Sequence, residues 1–425
     1  MMRLKEFTSE SLGEKYFFVK HPSGLNIYLY PKKNYKSSYA ILGVNYGSID
    51  AKFKTKSKGI TEVPSGIAHY LEHKLFEGEK GDAFESYAKT GASANAYTSF
   101  DKTAYLFSCS DKFQESLEVL LDFVQSPYFT EKNVEKERGI IAQEIKMYED
   151  NPDWCVYCNL LSAMYKNHPV KLNIAGTVES ITQITPEYLY ECYGAFYNLN
   201  NMSLCIAGNI DTDETMATID KNLKYSKAFD TERILPEEPL EIAKKEIIQN
   251  LDIGSPIFQL GFKENSNNYK ANEKDLVCIS IILKTLTSKA SPMYEKLLNL
   301  GLINTSSFDC EYMETPGMSA IIFGGESNDP YRAADVIRDE IEKIHINGIS
   351  EEKFNWAKKA LYGENVGGLN SVSSLANSLF NASLSNREIF KYINSICEVS
   401  LDDVNSKIQN ILKTELSALS IVKPQ

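Results

Sequence analysis

The chain has 425 residues, 43% of them hydrophobic and 24% charged, with a formal net charge of −12. That length exceeds one ordinary hydrophobic core and predicts two or more domains, and the composition is that of a globular protein rather than a disordered one. The acidic balance argues against a nucleic-acid partner, which would call for a basic face, and the eight cysteines are too scattered for a disulfide framework.

The first residues form no apolar signal segment, and no run of about 18 apolar residues follows, so a cytoplasmic protein with no membrane partner is expected. Leu25, Ile27 and Leu29 alternate after a Pro22-Ser23-Gly24 turn and read as part of a hairpin, and residues 39–46 read as a further strand. Next comes Gly66-Ile-Ala-His69-Tyr-Leu-Glu72-His73-Lys-Leu-Phe76. On a helix, His69 and His73 project from one face about a turn apart, with Glu72 beside them. Neutral imidazoles suit Zn²⁺, whose catalytic sites take three protein ligands and leave a fourth position to water. A carboxylate beside that water is a candidate general base. The order His-x-x-Glu-His is the inverted-zincin signature. The bland alternative is a surface helix with two solvated histidines, but a chain with only five His rarely produces this spacing by chance.

Asp82 and Glu85 form a capping-box pattern that opens a short helix, which Gly91 closes. Residues 92–98 and 103–108 read as strands. From Asp111 the apolar positions Phe113, Leu117, Leu120, Leu121 and Val124 recur at helical spacing and stop at Ser126-Pro127. Another helix is expected from near Thr130 to about Glu149. On it Glu137, Ile141, Glu144 and Tyr148 share one face, whereas Glu135 and Glu149 read as solvated. Glu137 and Glu144 stand about 10.5 Å apart along the axis, so one would bind the metal and the other would support a ligating imidazole. Spacing alone does not choose between them. Cys155-Val-Tyr-Cys158 has redox or metal spacing, but with no second pair it reads as packing.

The second half repeats the first. Phe84-Glu-Ser-Tyr-Ala-Lys-Thr-Gly91 resembles Tyr294-Glu-Lys-Leu-Leu-Asn-Leu-Gly301, and Thr130-Glu-Lys-Asn-Val134 resembles Ser350-Glu-Glu-Lys-Phe354. An α+β fold is therefore expected, built of two homologous sandwich-like domains, each a mixed, mostly antiparallel sheet with helices. The expected division is a catalytic domain at 1–227, a linker at 228–242 around Pro236-Glu-Glu-Pro239, and a homologous domain at 243–425. That second domain has only His345, and the stretch matching the zinc helix, Leu276 to Leu283, is apolar.

The zinc motif, Gly91-Ala-Ser-Ala-Asn-Ala-Tyr-Thr98, residues 134–145, His168-Pro169, residues 176–181 and residues 201–209 together resemble the pitrilysin family of inverted zinc metallopeptidases. This family includes insulin-degrading enzyme and the mitochondrial processing peptidases, and the length resembles its bacterial half-length members. The resemblance implies a zinc metalloendopeptidase with one Zn²⁺ per chain, held by His69, His73 and Glu144. It makes Glu72 the general base and Glu137 the supporting carboxylate. It also implies that the strand Ala94-Asn95-Ala96-Tyr97 receives the substrate peptide as an added edge strand, inside a closed chamber suited to peptides or unfolded segments. In the family the metal-free half contributes an Arg and a Tyr near a Gly-Leu-x-Tyr segment. Here Leu297 and Asn304 stand in those places, which points to a dimer with a homologous non-catalytic subunit that supplies the missing pair. Other readings remain open at this stage: a non-catalytic scaffold subunit, a metal-binding protein, or a zinc hydrolase of esters or non-peptide amides.

Overall fold

A computed structural model of the chain describes residues 4–79, 81–224, 230–264 and 270–425. The chain divides into two compact units, each a mixed sheet with helices. The first contains residues 1–143, 173–234 and 366–390, and the second residues 144–172, 235–365 and 391–425.

The sheet of the first unit comprises β1 (Lys5–Ser9), β2 (Glu14–Lys20), β3 (Asn26–Pro31), β4 (Ser38–Val44), β5 (Ser93–Thr98), β6 (Thr103–Cys109) and β7 (Met202–Gly208), in the order β1-β2-β3-β7-β4-β6-β5. Only β3 and β7 run parallel, and the other neighbours are antiparallel. Strands β4 and β7 are central and almost wholly buried, which is why they read as continuous apolar runs rather than alternating ones. β5 ends the order, with no further strand beside it among the described residues. Helices α1 (Ile67–Leu75), α2 (Ala83–Thr90), α3 (Phe113–Val124) and α4 (Glu131–Glu149) follow the sequence expectations closely. Asp82 does cap α2, through the backbone N–H of Phe84, and Gly91 closes that helix at φ 75°. The helix expected from Asp111 begins at Phe113, after Lys112 in a left-handed conformation.

The second unit contains α5 (Pro152–Met164) and a five-stranded sheet. Its strands are β8 (Glu246–Leu251), β9 (Ile257–Glu264), β10 (Asp309–Thr315), β11 (Met318–Glu326) and β12 (Ser417–Pro424), in the order β8-β12-β9-β11-β10. Again one pair, β8 and β12, is parallel and the rest antiparallel. Strand for strand this is the first sheet without β1 and β2. Helices α6 (Glu273–Thr287), α7 (Pro292–Asn299), α8 (Pro330–Asn347) and α9 (Glu351–Gly368) occupy the repeat positions of α1 to α4. Residues 273–299 are apolar enough to span a membrane, but they break into α6 and α7, whose apolar side chains pack in this unit's core.

The contiguous division at 227 and 243 does not describe the packing. Helix α5 comes from the first half of the chain yet lies on β8, β9 and β12, while α10 (Val372–Ser385), its counterpart in the repeat, lies on β3, β4 and β7. A sheet with a bare apolar face must be covered, and here each half of the sequence covers the sheet of the other. Matching glycines make room for the two helices. A Cβ on Gly43 of β4 would lie 1.9 Å from the Phe380 ring of α10, and one on Gly261 of β9 would lie 2.4 Å from Met164 Sδ of α5. The expected linker is also corrected, since most of it is tied down. Arg233 pairs with the buried Asp50 in the first unit, and Glu238 in the second accepts Lys263 Nζ at 2.6 Å and the backbone N–H groups of Lys166, Asn167 and His168. Residues 228 and 229 of that linker, and 225–227 of the expected first domain, lie outside the described residues.

Candidate metal centre

Helix α1 is set in place before its histidines matter. Gly66, its N-cap, has φ 89°, and a Cβ there would lie 2.4 Å from the Ala175 carbonyl oxygen, so only glycine admits this approach. Ser180 Oγ donates to the Ser65 carbonyl at 2.9 Å, joining the helix entry to the capping box of Thr177 and Ser180. On the other side the Tyr70 hydroxyl donates to the Val134 carbonyl of α4. These contacts fix α1 against α4.

On that frame one nitrogen each from His69 and His73 and one oxygen from Glu144 lie within 4.8 Å of one another. The two imidazole centroids are 4.6 Å apart, with planes inclined at 61°. Among the described residues this is the one group of three or more His, Cys, Asp or Glu placed to hold a metal ion. Two nitrogens and a carboxylate oxygen suit Zn²⁺, and bonds of about 2.0–2.2 Å can be reached from this spread by small side-chain movements. The donors therefore fit the metal that the sequence implied.

The two glutamates left open by helical spacing separate cleanly. Glu144 joins the imidazoles, and its Oε1 accepts the Tyr148 hydroxyl one turn on at 2.9 Å. Glu137 instead lies 3.1 Å from His73 Nδ1. A carboxylate accepts, so Nδ1 carries the proton and Nε2 is left for a metal. Burial pushes the Glu137 carboxyl up, but its hydrogen bond with His73 and the Lys74 ammonium outweigh this and hold it below the usual range.

Glu72 is buried beside the histidines, and its Oε2 accepts the Thr98 hydroxyl at 2.7 Å. Thr98 is the last residue of β5, so the strand predicted to receive a peptide also touches the predicted base. Ala94, Asn95, Ala96 and Tyr97 lie on that strand, paired with Phe107 to Ala104 of β6. The Ala96 N–H is taken by the Asn95 side chain at 2.9 Å, so at this residue the backbone faces away from β6. By the two-residue period of a strand, the backbone groups of Ala94 and Thr98 face the same open edge. Sequence reasoning missed Thr98, which carries only the weak signal of a hydroxyl closing a strand, and it missed Lys74, a lysine with no exposed surface.

The remaining candidates fall elsewhere. Leu297 is fully buried in the core of the second unit. The Asn304 side chain is spent locally, with Nδ2 donating to Glu326 at 2.6 Å and Oδ1 accepting the backbone N–H groups of Ser306 and Ser307. Cys155 and Cys158 are free thiols on α5, and burial pushes both up, Cys158 to about 12.

Residues 29–178 match the family model described as Insulinase (Peptidase family M16), and residues 183–361 match the Peptidase M16 inactive domain. The uncharacterized zinc protease YmfH of Bacillus subtilis is 39% identical over 98% of this chain and 97% of its own length. A putative M16-like peptidase from Alicyclobacillus acidocaldarius superposes with a TM-score of 0.90 at 34% identity, covering 100% of this chain and 99% of that one. A protease from Helicobacter pylori shares the fold, with a TM-score of 0.81 at 21% identity over 97% of this chain and 100% of that one.

Proposed function

Because the chain belongs to the peptidase M16 family, we propose that it is a zinc-dependent endopeptidase, with one Zn²⁺ per chain, acting on peptides or unfolded segments. The observation that carries this reading is three grouped metal donors with a buried carboxylate, Glu72, on the same helix as the two histidines, bonded to Thr98 of an edge strand. When bound, the metal supplies Lewis acidity and an acidified water.

The chain's own residues do the rest. Glu72 takes the proton of the attacking water and returns it to the leaving amine, which requires its carboxyl to alternate between charged and neutral forms. The Thr98 hydroxyl holds that carboxylate in one rotamer. His69, His73 and Glu144 bind, while Glu137 keeps His73 in the tautomer that presents Nε2. A substrate peptide adds to β5 in extended form, paired to the outward backbone groups of Ala94, Ala96 and Thr98, so recognition depends little on side chains. The Asn95 side chain must release the Ala96 N–H for that pairing to form. A closed chamber limits substrates to chains that can enter unfolded.

The same reading extends to a dimer in the cytoplasm. Leu297 is locked in the core and Asn304 in a turn, and neither side chain can engage a peptide as the Arg and Tyr of the family do. A homologous, metal-free subunit would supply that pair.

The test is zinc content together with hydrolysis of a quenched peptide, for wild type and Glu72→Gln, each with and without a co-encoded homologous subunit. The expected result is zinc in both proteins, cleavage by wild type only, and faster cleavage with the partner. Full activity of Glu72→Gln would sink the mechanism, and efficient cleavage by wild type alone would sink the partner requirement.

A further inference from the structure

Lys74 directly follows the second histidine and is among the largest fully buried side chains of the protein. Its ammonium is held by Glu77, and it also stands 3.6 Å from Glu137 Oε2. The other oxygen of the same carboxylate, Oε1, accepts His73 Nδ1–H at 3.1 Å. Lysine, carboxylate and imidazole thus form a chain that ends on a metal donor.

Packing alone gives no reason for a lysine here. A methionine or leucine would fill the same space without the cost of burying an ammonium. Glu77 alone would satisfy the lysine in a purely structural role, so the second carboxylate is the informative contact. Glu137 is itself mostly buried, and without a cation it would gain by swinging toward water, away from His73. We propose that Lys74 is a positioning residue for the metal centre, whose ammonium pins the Glu137 carboxylate against His73 and so sets the tautomer and ring orientation with which His73 meets the metal.

The proposal rests on the metal reading of His69, His73 and Glu144, and the test separates the two. Zinc affinity is measured by chelator competition, and the Co²⁺ absorption spectrum is recorded. The proteins are wild type, Glu144→Gln, Lys74→Met, Lys74→Arg, Glu137→Gln and the double variant Lys74→Met/Glu137→Gln, with a thermal melt of each apo-protein. Loss of a partner to a ligating histidine costs about 10–100-fold in metal affinity, and Lys74→Met is expected to fall in that range with an altered Co²⁺ spectrum. Lys74→Arg, which keeps the charge, is expected to recover most of the affinity.

The double variant is expected to bind no more weakly than the weaker single one, because both changes break one chain of contacts. Wild-type affinity in folded Lys74→Met, or additive losses in the double variant, overturns the proposal while leaving the metal site standing. Absence of stoichiometric, Glu144-dependent zinc in wild type instead overturns the metal reading itself. Should Lys74→Met fail to fold, Lys74→Gln, which keeps a donor and nearly the same length, takes its place in the same cycle with the same expected and overturning outcomes.

Discussion

Two helix pairs in this molecule occupy equivalent places in the repeat and are cross-linked by different chemistry. In the first repeat, α1 and α4 bring together His69, His73 and Glu144. In the second, α6 and α9 are joined by Lys284, whose Nζ reaches both oxygens of Glu364 at 2.6 and 2.7 Å. When residues 130–134 are set against 350–354, Glu364 falls opposite Glu144, and Ala357, fully buried, falls opposite Glu137. The carboxylate grouped with the imidazoles therefore has a counterpart in the second repeat, and the carboxylate that bonds His73 does not. A glutamate at that place on the helix is no sign of a metal. What distinguishes the first pair is the imidazoles on the facing helix and the carboxylate that bonds one of them.

The sharpest way to break the comparison is to make the same change on both sides. Glu144→Gln should lower zinc affinity at least ~100-fold, since a ligand is lost rather than one of its partners. Glu364→Gln should leave zinc binding untouched and cost at most about 1 kcal/mol of stability in urea unfolding, because that pair is largely exposed on the Glu364 side. Equal effects on zinc would mean that the two sites are not distinct. Of comparable size, Glu72→Gln should reduce peptide hydrolysis by about 10²–10⁴-fold, the usual worth of a general base, with zinc retained.

Thr98→Val removes one hydrogen bond to a carboxylate, worth roughly 1.5–3 kcal/mol, so kcat should fall about tenfold or more while zinc content stays unchanged. Thr98→Ser should restore the rate, and a Val variant as active as wild type would remove Thr98 from the machinery. The two exchanged helices offer a smaller contrast. Gly43→Ala should destabilise by about 1–3 kcal/mol because the Phe380 ring has nowhere to move, and Gly261→Ala should cost less because the Met164 thioether can turn aside. Urea midpoints in the reverse order would mean that Phe380 yields to the added methyl more readily than Met164 does.

The features legible in the sequence were those with a local period. The i, i+4 histidines, the face shared by Glu137 and Glu144, and the alternation that leads into β3 each depend on residues within a few turns of one another. The choice between the two glutamates was not local. It turned on which of them reaches the imidazoles from another helix, and the structure groups Glu144 with the donors and places Glu137 against His73 Nδ1. The exchange of α5 and α10 was invisible because an amphipathic helix advertises an apolar face without saying which sheet will receive it. A signal was nonetheless present, in Leu42-Gly43 and Leu260-Gly261 at matching places in β4 and β9. A glycine in the middle of a buried strand often marks where another element comes close. Lys74 gave no warning, since lysines are almost never fully buried unless paired, and its partners lie partly on another helix.

The helix exchange also puts the molecule on a timetable. The ribosome has delivered the whole zinc motif long before it makes Val372–Ser385, yet the compact unit that carries His69 and His73 includes residues 366–390. At about 5–20 residues per second, the interval between Ile234 and the arrival of Phe380 is on the order of ten seconds. Through that wait the groove at Gly43 has no ring to fill it. A nascent chain released before Val366 would hold all three grouped donors and still lack the helix over its own sheet, so the unit that carries the histidines is completed only long after Ile234 has been made.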